Sequence, residues 1–257
     1  MKGMEPKTLI FLHYFGGSKE SWNWTISDLD NIGGRDEIMG SNFNCIAINL
    51  PGFGGNKLLD QPSIAFMANY IMEQIREMNV RQCILVGHSM GGKVAVQMAI
   101  MSSDNDLISE LILIAPSPPS MEEMPEEQQK VLRNLQTEAQ ALKNVDEAIV
   151  KELGLDQYNM AVNTQMQIEV EARRWWVDEG TKQSIADQSS EMVLPITVIA
   201  SKTDPAITYE MTMEETIPNL PKHTKLIVTT GIGHLIPLED PVWLAETIRS
   251  IVDPIFA

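Results

Sequence analysis

Only two cysteines occur among the 257 residues, Cys45 and Cys83, each inside an apolar run (FNCIAINL and RQCILVG). Two thiols so placed supply neither a disulfide framework nor metal-ligand spacing, and they read as reduced, buried groups. Positive charge is scarce as well: 19 Lys and Arg stand against 35 Asp and Glu, a net charge of −16. A surface of that sign repels nucleic-acid phosphate and anionic lipid, which are held by clustered Lys and Arg, so neither nucleic acid nor membrane is expected as a partner. Every apolar run is interrupted by Asp, Glu, Lys, Asn or Gln well short of the roughly 18–20 residues a spanning helix needs. The start, MKGMEPKTLIFLH, carries charge and proline but no apolar stretch leading to a small-residue cleavage site. A cytoplasmic protein is the expectation.

What the chain does have is core-forming material. Apolar residues make up 44% of it, which excludes a disordered chain, and at this length on the order of 75% of the unfolded surface can be buried. Six short runs have continuous rather than alternating apolarity: Thr8–His13, Phe43–Asn49, Gln82–Val86, Leu111–Ala115, Ile196–Ala200 and Lys225–Thr229. Strands covered on both faces read this way. Helical spacing lies between them over Pro62–Asn79, Met90–Met101 and Pro241–Val252, the last with proline in its first turn. Strand and helix in alternation imply parallel βαβ units with right-handed crossovers. The expected fold is therefore α/β, a doubly wound and mostly parallel sheet of about six strands with helices on both faces.

The alternation lapses once, between about Ser117 and Glu191, where no credible strand occurs. Helical patterns fill the interval at Pro125–Asn144, Val145–Leu153 and Gln157–Glu179. A structureless loop of that length is improbable in a compact domain, so residues 117–191 are expected to form a helical cap, inserted before the last two strands of a core made of 1–116 and 192–257. Trp175 and Trp176 are candidates to face a pocket, although aromatics at helical spacing are more often core. Arg173 and Arg174 are expected to pair with Glu169, Glu171 or Asp178 along a helix face.

The strongest local signal is Gly87-His88-Ser89-Met90-Gly91-Gly92, directly after one apolar run and directly before a helix. A strand, a sharp turn and a helix are the context in which a G-x-S-x-G serine is thrust out of a sheet as a nucleophile. Such a serine needs a base, and there are four histidines: His13, His88, His223 and His234. His223 precedes the last strand and so belongs to its amino end. His234 follows that strand within Gly231-Ile232-Gly233-His234-Leu235, at the carboxyl end where open α/β sheets place their sites. An acid to orient the imidazole follows the previous strand in Ser201-Lys202-Thr203-Asp204-Pro205. The chain order Ser89, Asp204, His234 is that of one of the three unrelated triad arrangements. Two backbone donors for a developing oxyanion are expected at the N–H of Met90 and, from the loop His13-Tyr14-Phe15-Gly16-Gly17, at that of Phe15. The side chains of Phe15 and Met90, with Leu235, are then free to line a substrate pocket.

These residues resemble the α/β-hydrolase fold superfamily over nearly the whole chain. The segments GHSMGG, HYFGGS, NLPGFGGN, SKTDP and GIGHLIPLEDP carry the likeness, which within the superfamily is nearest to small bacterial carboxylesterases and their perhydrolase and lactonase relatives. Two features depart from the pattern: Tyr14 follows His13 where the family usually has His-Gly, and the family's N-terminal antiparallel hairpin is not expected, since the first apolar run begins at Thr8. The resemblance implies hydrolysis of a carboxylic ester or related acyl bond of a small, largely apolar molecule, without metal or organic cofactor. Serine at position 89 argues against haloalkane dehalogenase and epoxide hydrolase chemistry, which use Asp there. C–C bond hydrolysis, thioester or lactone cleavage and perhydrolysis would use the same triad. A slow or non-catalytic receptor of the same fold is the alternative of another class. A monomer or a homodimer is expected.

Overall fold

The structure is a computed structural model of the chain, and it describes residues 6–33, 43–58, 60–103, 106–134 and 136–253. Residues 1–5 of the start read above lie outside these. Strands form at Lys7–Leu12 (β1), Phe43–Ile48 (β2), Cys83–His88 (β3), Ile108–Ile114 (β4), Ile196–Ser201 (β5) and Lys225–Thr229 (β6). Among the described residues they make one sheet in the order β2-β1-β3-β4-β5-β6, and every pairing is parallel. The direction of winding reverses between β1 and β3, so their carboxyl ends flank the crevice where such sheets bind ligands.

Alternate residues explain why the runs are apolar throughout. Ile10, Leu12, Leu85, Leu111, Leu113 and Val198 face one core cluster, which includes helices Ile64–Glu77 and Met90–Met101. Leu9, Phe11, Ile84, Val86, Ile112 and Ile199 face another, with Trp22, Leu29, Leu244 and Ile248. In chain order the helices are α1 (Asn23–Gly33), α2 (Ile64–Glu77), α3 (Met90–Met101), α4 (Glu126–Leu132), α5 (Glu138–Ala148), α6 (Leu155–Met166), α7 (Val170–Trp175), α8 (Ala186–Ser189), α9 (Tyr209–Met211), α10 (Ile236–Glu239) and α11 (Pro241–Val252). Side-chain caps set several starts: the Ser63 hydroxyl accepts from Phe66 N at α2, and the Asp240 carboxylate from Trp243 N at α11, whose first residue is Pro241. Helix α1 has no long apolar stripe in sequence and is recognised only from its packing on α11. Among the described residues no helix is long and apolar enough to cross a membrane.

Between β4 and β5 the described chain is helical but more broken than its periodicity suggests. The first expected helix divides into α4 and α5, with the Thr137 hydroxyl accepting from Gln140 N at the start of α5. The last splits at Gln167–Glu169, where Glu169 N donates to Gly52 O at 3.2 Å and the Glu169 carboxylate accepts from Leu58 N at 2.8 Å. That contact pins the start of α7 to the loop after β2. Beyond α7 the helix widens into a π turn at Trp176–Gly180.

The expected arginine pairs are not made as the sequence implies. Arg173 is fully buried and donates to the main-chain oxygens of Leu132 and Gln165 and to Gln165 Oε1, with its guanidinium 5.6 Å from the Phe15 ring centre. It lies on the inward face of a six-residue helix and reaches carbonyls near the ends of α4 and α6, groups helix termini leave unsatisfied. Asp178 pairs with Arg133 instead, at 2.5 Å. Cys83 is buried and Cys45, on the edge strand β2, only partly so; burial pushes both thiols up to about 12.

Candidate active site

The turn after β3 has no freedom to carry larger residues. Ser89 sits at φ 53° and ψ −119°, a left-handed region that a non-glycine residue occupies only when its surroundings hold it there. A Cβ on Gly87 would stand 2.6 Å from Gly91 O, and one on Gly91 would stand 2.5 Å from Leu12 O. The two glycines let α3 pass directly over β1 and β3 while the serine points out of the sheet. Ser117 N donates to Ser89 O at 3.0 Å, securing the turn from the β4 side.

His234 comes to that hydroxyl from the loop after β6. Its Nε2 lies 3.0 Å from Ser89 Oγ, and its Nδ1 lies 2.8 Å from Asp204 Oδ2. The other Asp204 oxygen accepts from Ala206 N at 2.8 Å and Ile207 N at 3.0 Å, so the carboxylate is held by its own turn. The loops after β5 and β6 are stitched together, with Thr203 Oγ1 donating to Ile232 O at 2.8 Å and accepting from Gly231 N at 2.9 Å. Residues 89, 204 and 234, which lie far apart in sequence, thus form one hydrogen-bonded chain, and all three are buried.

The other histidines support this chain or stand apart from it. The His88 ring lies 5.1 Å from the His234 ring, centre to centre, and donates through Nε2–H to His234 O at 2.8 Å. His13 donates through Nδ1–H to Tyr14 O and accepts at Nε2 from Leu50 N, bracing the loop after β1. His223 lies exposed at the other end of the sheet, bonded to Leu194 O. The His88 brace has no signature in the sequence beyond its place in the motif.

Electrostatics separates the imidazoles. Burial drives His13 down to about 4 and His88 well below the ordinary value, the latter helped by the neighbouring His234 charge. Burial acts in the same direction on His234, but the charge and hydrogen bond of Asp204, followed by the charges of Glu122 and Glu239, outweigh it and raise His234 above 6.5. Lys93, fully buried on α3, donates to Ser120 O at 2.9 Å and Thr181 O at 3.3 Å, and burial lowers it to about 8.

A cavity of about 740 Å³ opens on Ser89 and His234. Phe15, Leu235 and Trp176 line it as expected, beside Met124, Leu132 and Met211. Two of the expected pocket residues do not line it: the Met90 side chain is fully buried under the turn, and Trp175 packs into the same core cluster. Met90 begins α3 and its side chain projects back into the sheet's helix layer. Trp175 lies beside Trp176, with ring centres 6.1 Å apart, on the side away from the cavity. The acidic run Glu122, Glu123, Glu126 and Glu127 reads in sequence as a solvated face and helix N-terminus, yet Glu122 lines the cavity; it accepts a hydrogen bond from Ser117 Oγ, and burial raises its carboxyl. Among the described residues nothing accepts from the N–H of Phe15, and no cluster of side chains has the composition of a metal site.

A doubly wound parallel sheet thus carries a serine, a histidine and an aspartate joined at the carboxyl ends of β3, β6 and β5. The profile described as alpha/beta hydrolase fold matches residues 7–178, and the chain belongs to that family. The esterase EaEST of Exiguobacterium antarcticum superposes with a TM-score of 0.83 at 17% identity, covering 96% of this chain and 92% of that one. A meta-cleavage product hydrolase of Pseudomonas fluorescens superposes with a TM-score of 0.76 at 15% identity, over 98% and 92%. In sequence, the dihydrolipoyllysine-residue acetyltransferase component of the acetoin cleaving system of Cupriavidus necator is 31% identical over 100 residues, 38% of this chain and 24% of that protein. The match thus spans about a quarter of that relative's length.

Proposed function

We propose that the protein is a serine hydrolase that cleaves a carboxylic ester of a small, largely apolar substrate through an acyl-enzyme on Ser89. The observation that carries this reading is the unbroken line from Ser89 Oγ through the imidazole to Asp204, at 3.0 and 2.8 Å. Ser89 Oγ attacks the ester carbonyl while His234 Nε2 takes its proton. The resulting oxyanion is held by the N–H groups of Phe15 and Met90, donors of a kind worth on the order of 10²–10³ in turnover each. Collapse expels the alcohol, which receives the proton from His234, and leaves the acyl group on Ser89. Water then gives a proton to His234 and attacks the acyl carbonyl. A second collapse frees the acid and returns the proton to Ser89. Asp204 holds Nδ1–H throughout and stabilises the imidazolium.

Residues 117–191 act, in this reading, as a cap whose Met124, Leu132 and Trp176 present an apolar wall to the acyl or alcohol group. Methionine adapts to several shapes, in keeping with a site selective for polarity more than for one outline. The test is a chain-length series of nitrophenyl esters, extended to thioesters, lactones and peroxide, with Ser89→Ala alongside. Turnover should be greatest on short esters, and Ser89→Ala should lose both turnover and labelling by a fluorophosphonate, by roughly 10⁴-fold or more. Labelling retained in Ser89→Ala would reject the assigned nucleophile. Trace single-turnover release in the native protein would favour a receptor.

A further inference from the structure

Glu239 is a buried carboxylate that the reaction sequence above does not use. It ends α10, five residues beyond His234, and its Oε2 accepts three main-chain N–H groups: Gly233 at 2.7 Å, Lys151 at 2.8 Å and Val150 at 2.9 Å. Its Oε1 is buried without a partner. The three donors come from two different parts of the chain. Gly233 immediately precedes His234, whereas Val150 and Lys151 follow α5 in the helical interval.

The same junction is closed from the other side. His234 N donates to Ala148 O at 2.7 Å, which satisfies a carbonyl at the carboxyl end of α5 that the helix itself leaves open. Beyond it the chain turns extended at Ile149 (φ −104°, ψ 152°), and this aims the next two N–H groups at Glu239. The approach is so close that a Cβ on Gly233 would stand 2.6 Å from Ala148 O and 2.7 Å from Val150 N. Gln157 Nε2 donates to Leu238 O at 3.0 Å, and Lys151 pairs with Asp240 at 2.6 Å, extending the seam at its exposed edge. His234 is therefore held at its N–H by α5, at its carbonyl by His88 and at Nδ1 by Asp204. Among the described residues one side chain, that of Glu239, ties the peptide before it to the helical interval.

We propose that Glu239 is a positioning residue for His234, its carboxylate locking residues 150–151 against the His234 loop so that Nε2 stays aimed at Ser89. The proposal rests on the hydrolase reading of the site. A carboxylate that accepts three N–H bonds on one oxygen can hold two segments in register as no single neutral bond can, because each charge-assisted bond is about twice as strong. The charge has a second consequence. His234 is faced by Asp204 from the loop after β5, His88 from β3, Glu122 from the segment after β4 and Glu239 from α10, and three of these four are carboxyl groups that favour the imidazolium. Removing one negative charge weakens that support while leaving the partner on Nδ1 in place.

Glu239→Gln keeps an acceptor oxygen and removes the charge; Glu239→Asp keeps the charge and shortens the reach. For Glu239→Gln on a short nitrophenyl ester, kcat should fall roughly ten- to hundredfold with KM changed less than about threefold, since binding surfaces are untouched while the base is misaligned. The His234 midpoint, followed by NMR of its imidazole protons, should move to lower pH. Glu239→Asp should lose kcat similarly but keep the midpoint, and it decides the matter should the Gln variant fail to fold. A lowered Tm with native kcat and an unmoved midpoint would reduce Glu239 to a structural strut and overturn the proposal. The NMR titration reads His234 whatever the reaction is, so its result stands apart from whether Ser89→Ala abolishes ester turnover.

Discussion

The loops at the carboxyl end of the sheet and the helical interval between β4 and β5 wall the same cavity, yet they are built differently. In the loops the side chains of the site are tied by hydrogen bonds: Asp204 accepts from its own turn and faces His234, Thr203 joins two loops, and His88 and His13 each brace a main-chain atom. The interval consists of helices of 4 to 12 residues joined by short breaks. It leaves Leu155 75% exposed and Val150 52% exposed, where the leucines, isoleucines and valines of β1, β3 and β5 are buried. The contrast teaches where the chemistry needs tolerance. Groups that move protons must be held to a few tenths of an ångström, whereas a wall that excludes water can be made of adaptable apolar side chains. The junctions between the two regions, at Gly52–Glu169 and at Glu239, are where the one constrains the other.

The sharpest way to break this contrast lies in the loops. His234→Ala should lower turnover by about 10⁴-fold, whereas His223→Ala, at the far end of the sheet, should change it by less than about twofold. Steady-state kinetics on one ester decides it, and equal losses would mean that position along the strand does not govern function. A smaller effect separates the adjacent tryptophans. Trp175→Ala, in the core cluster, should cost about 3–5 kcal/mol of stability in denaturant unfolding. Trp176→Ala, in the cavity wall, should also shift the preferred ester chain length, by about tenfold in relative kcat/KM for one or two added methylenes. The same chain-length profile in both variants would remove the distinction between them.

The smallest effect concerns pH. The base must be neutral, and His234 is raised above 6.5, so kcat/KM should rise with pH through a midpoint above that value. Stability should run with the opposite sign where His234 alone decides it. A raised imidazole contributes stability below pH 6.5 and loses it as pH climbs through the folded value. His13 and His88 are lowered, so they oppose it, their contribution fading as pH falls from 6.5 toward 4. Thermal unfolding at pH 4, 5.5 and 7 should therefore show Tm decreasing toward acid, two lowered groups against one raised. A Tm that climbs toward pH 4 would contradict the burial of His13 and His88.

The parts legible in sequence are those in which one residue type has one physical use. Continuous apolar runs mark strands covered on both faces, and all six lie within a few residues of the observed bounds. Gly87 and Gly91 mark a turn no larger residue could make. The choice of His234 over His223 follows from which end of a parallel strand each flanks. The helical interval is harder to read, because its breaks depend on distant partners. Nothing near Glu169 in sequence announces that Gly52 and Leu58 will meet it. Arg173 likewise has acidic neighbours one turn away but turns inward to bare carbonyls.

From its order of residues alone, this chain determined a doubly wound sheet with a hydroxyl, a carboxylate and an imidazole at one rim, because apolar periodicity and strand polarity act locally. Only the tertiary structure decided which tryptophan meets the cavity, that His88 braces the His234 carbonyl, and that a glutamate beyond His234 binds the helical interval. Those outcomes depend on contacts between segments more than 80 residues apart in sequence, such as Glu239 with Val150. Periodicity carries no record of such contacts, since they are settled only when the packed surfaces meet.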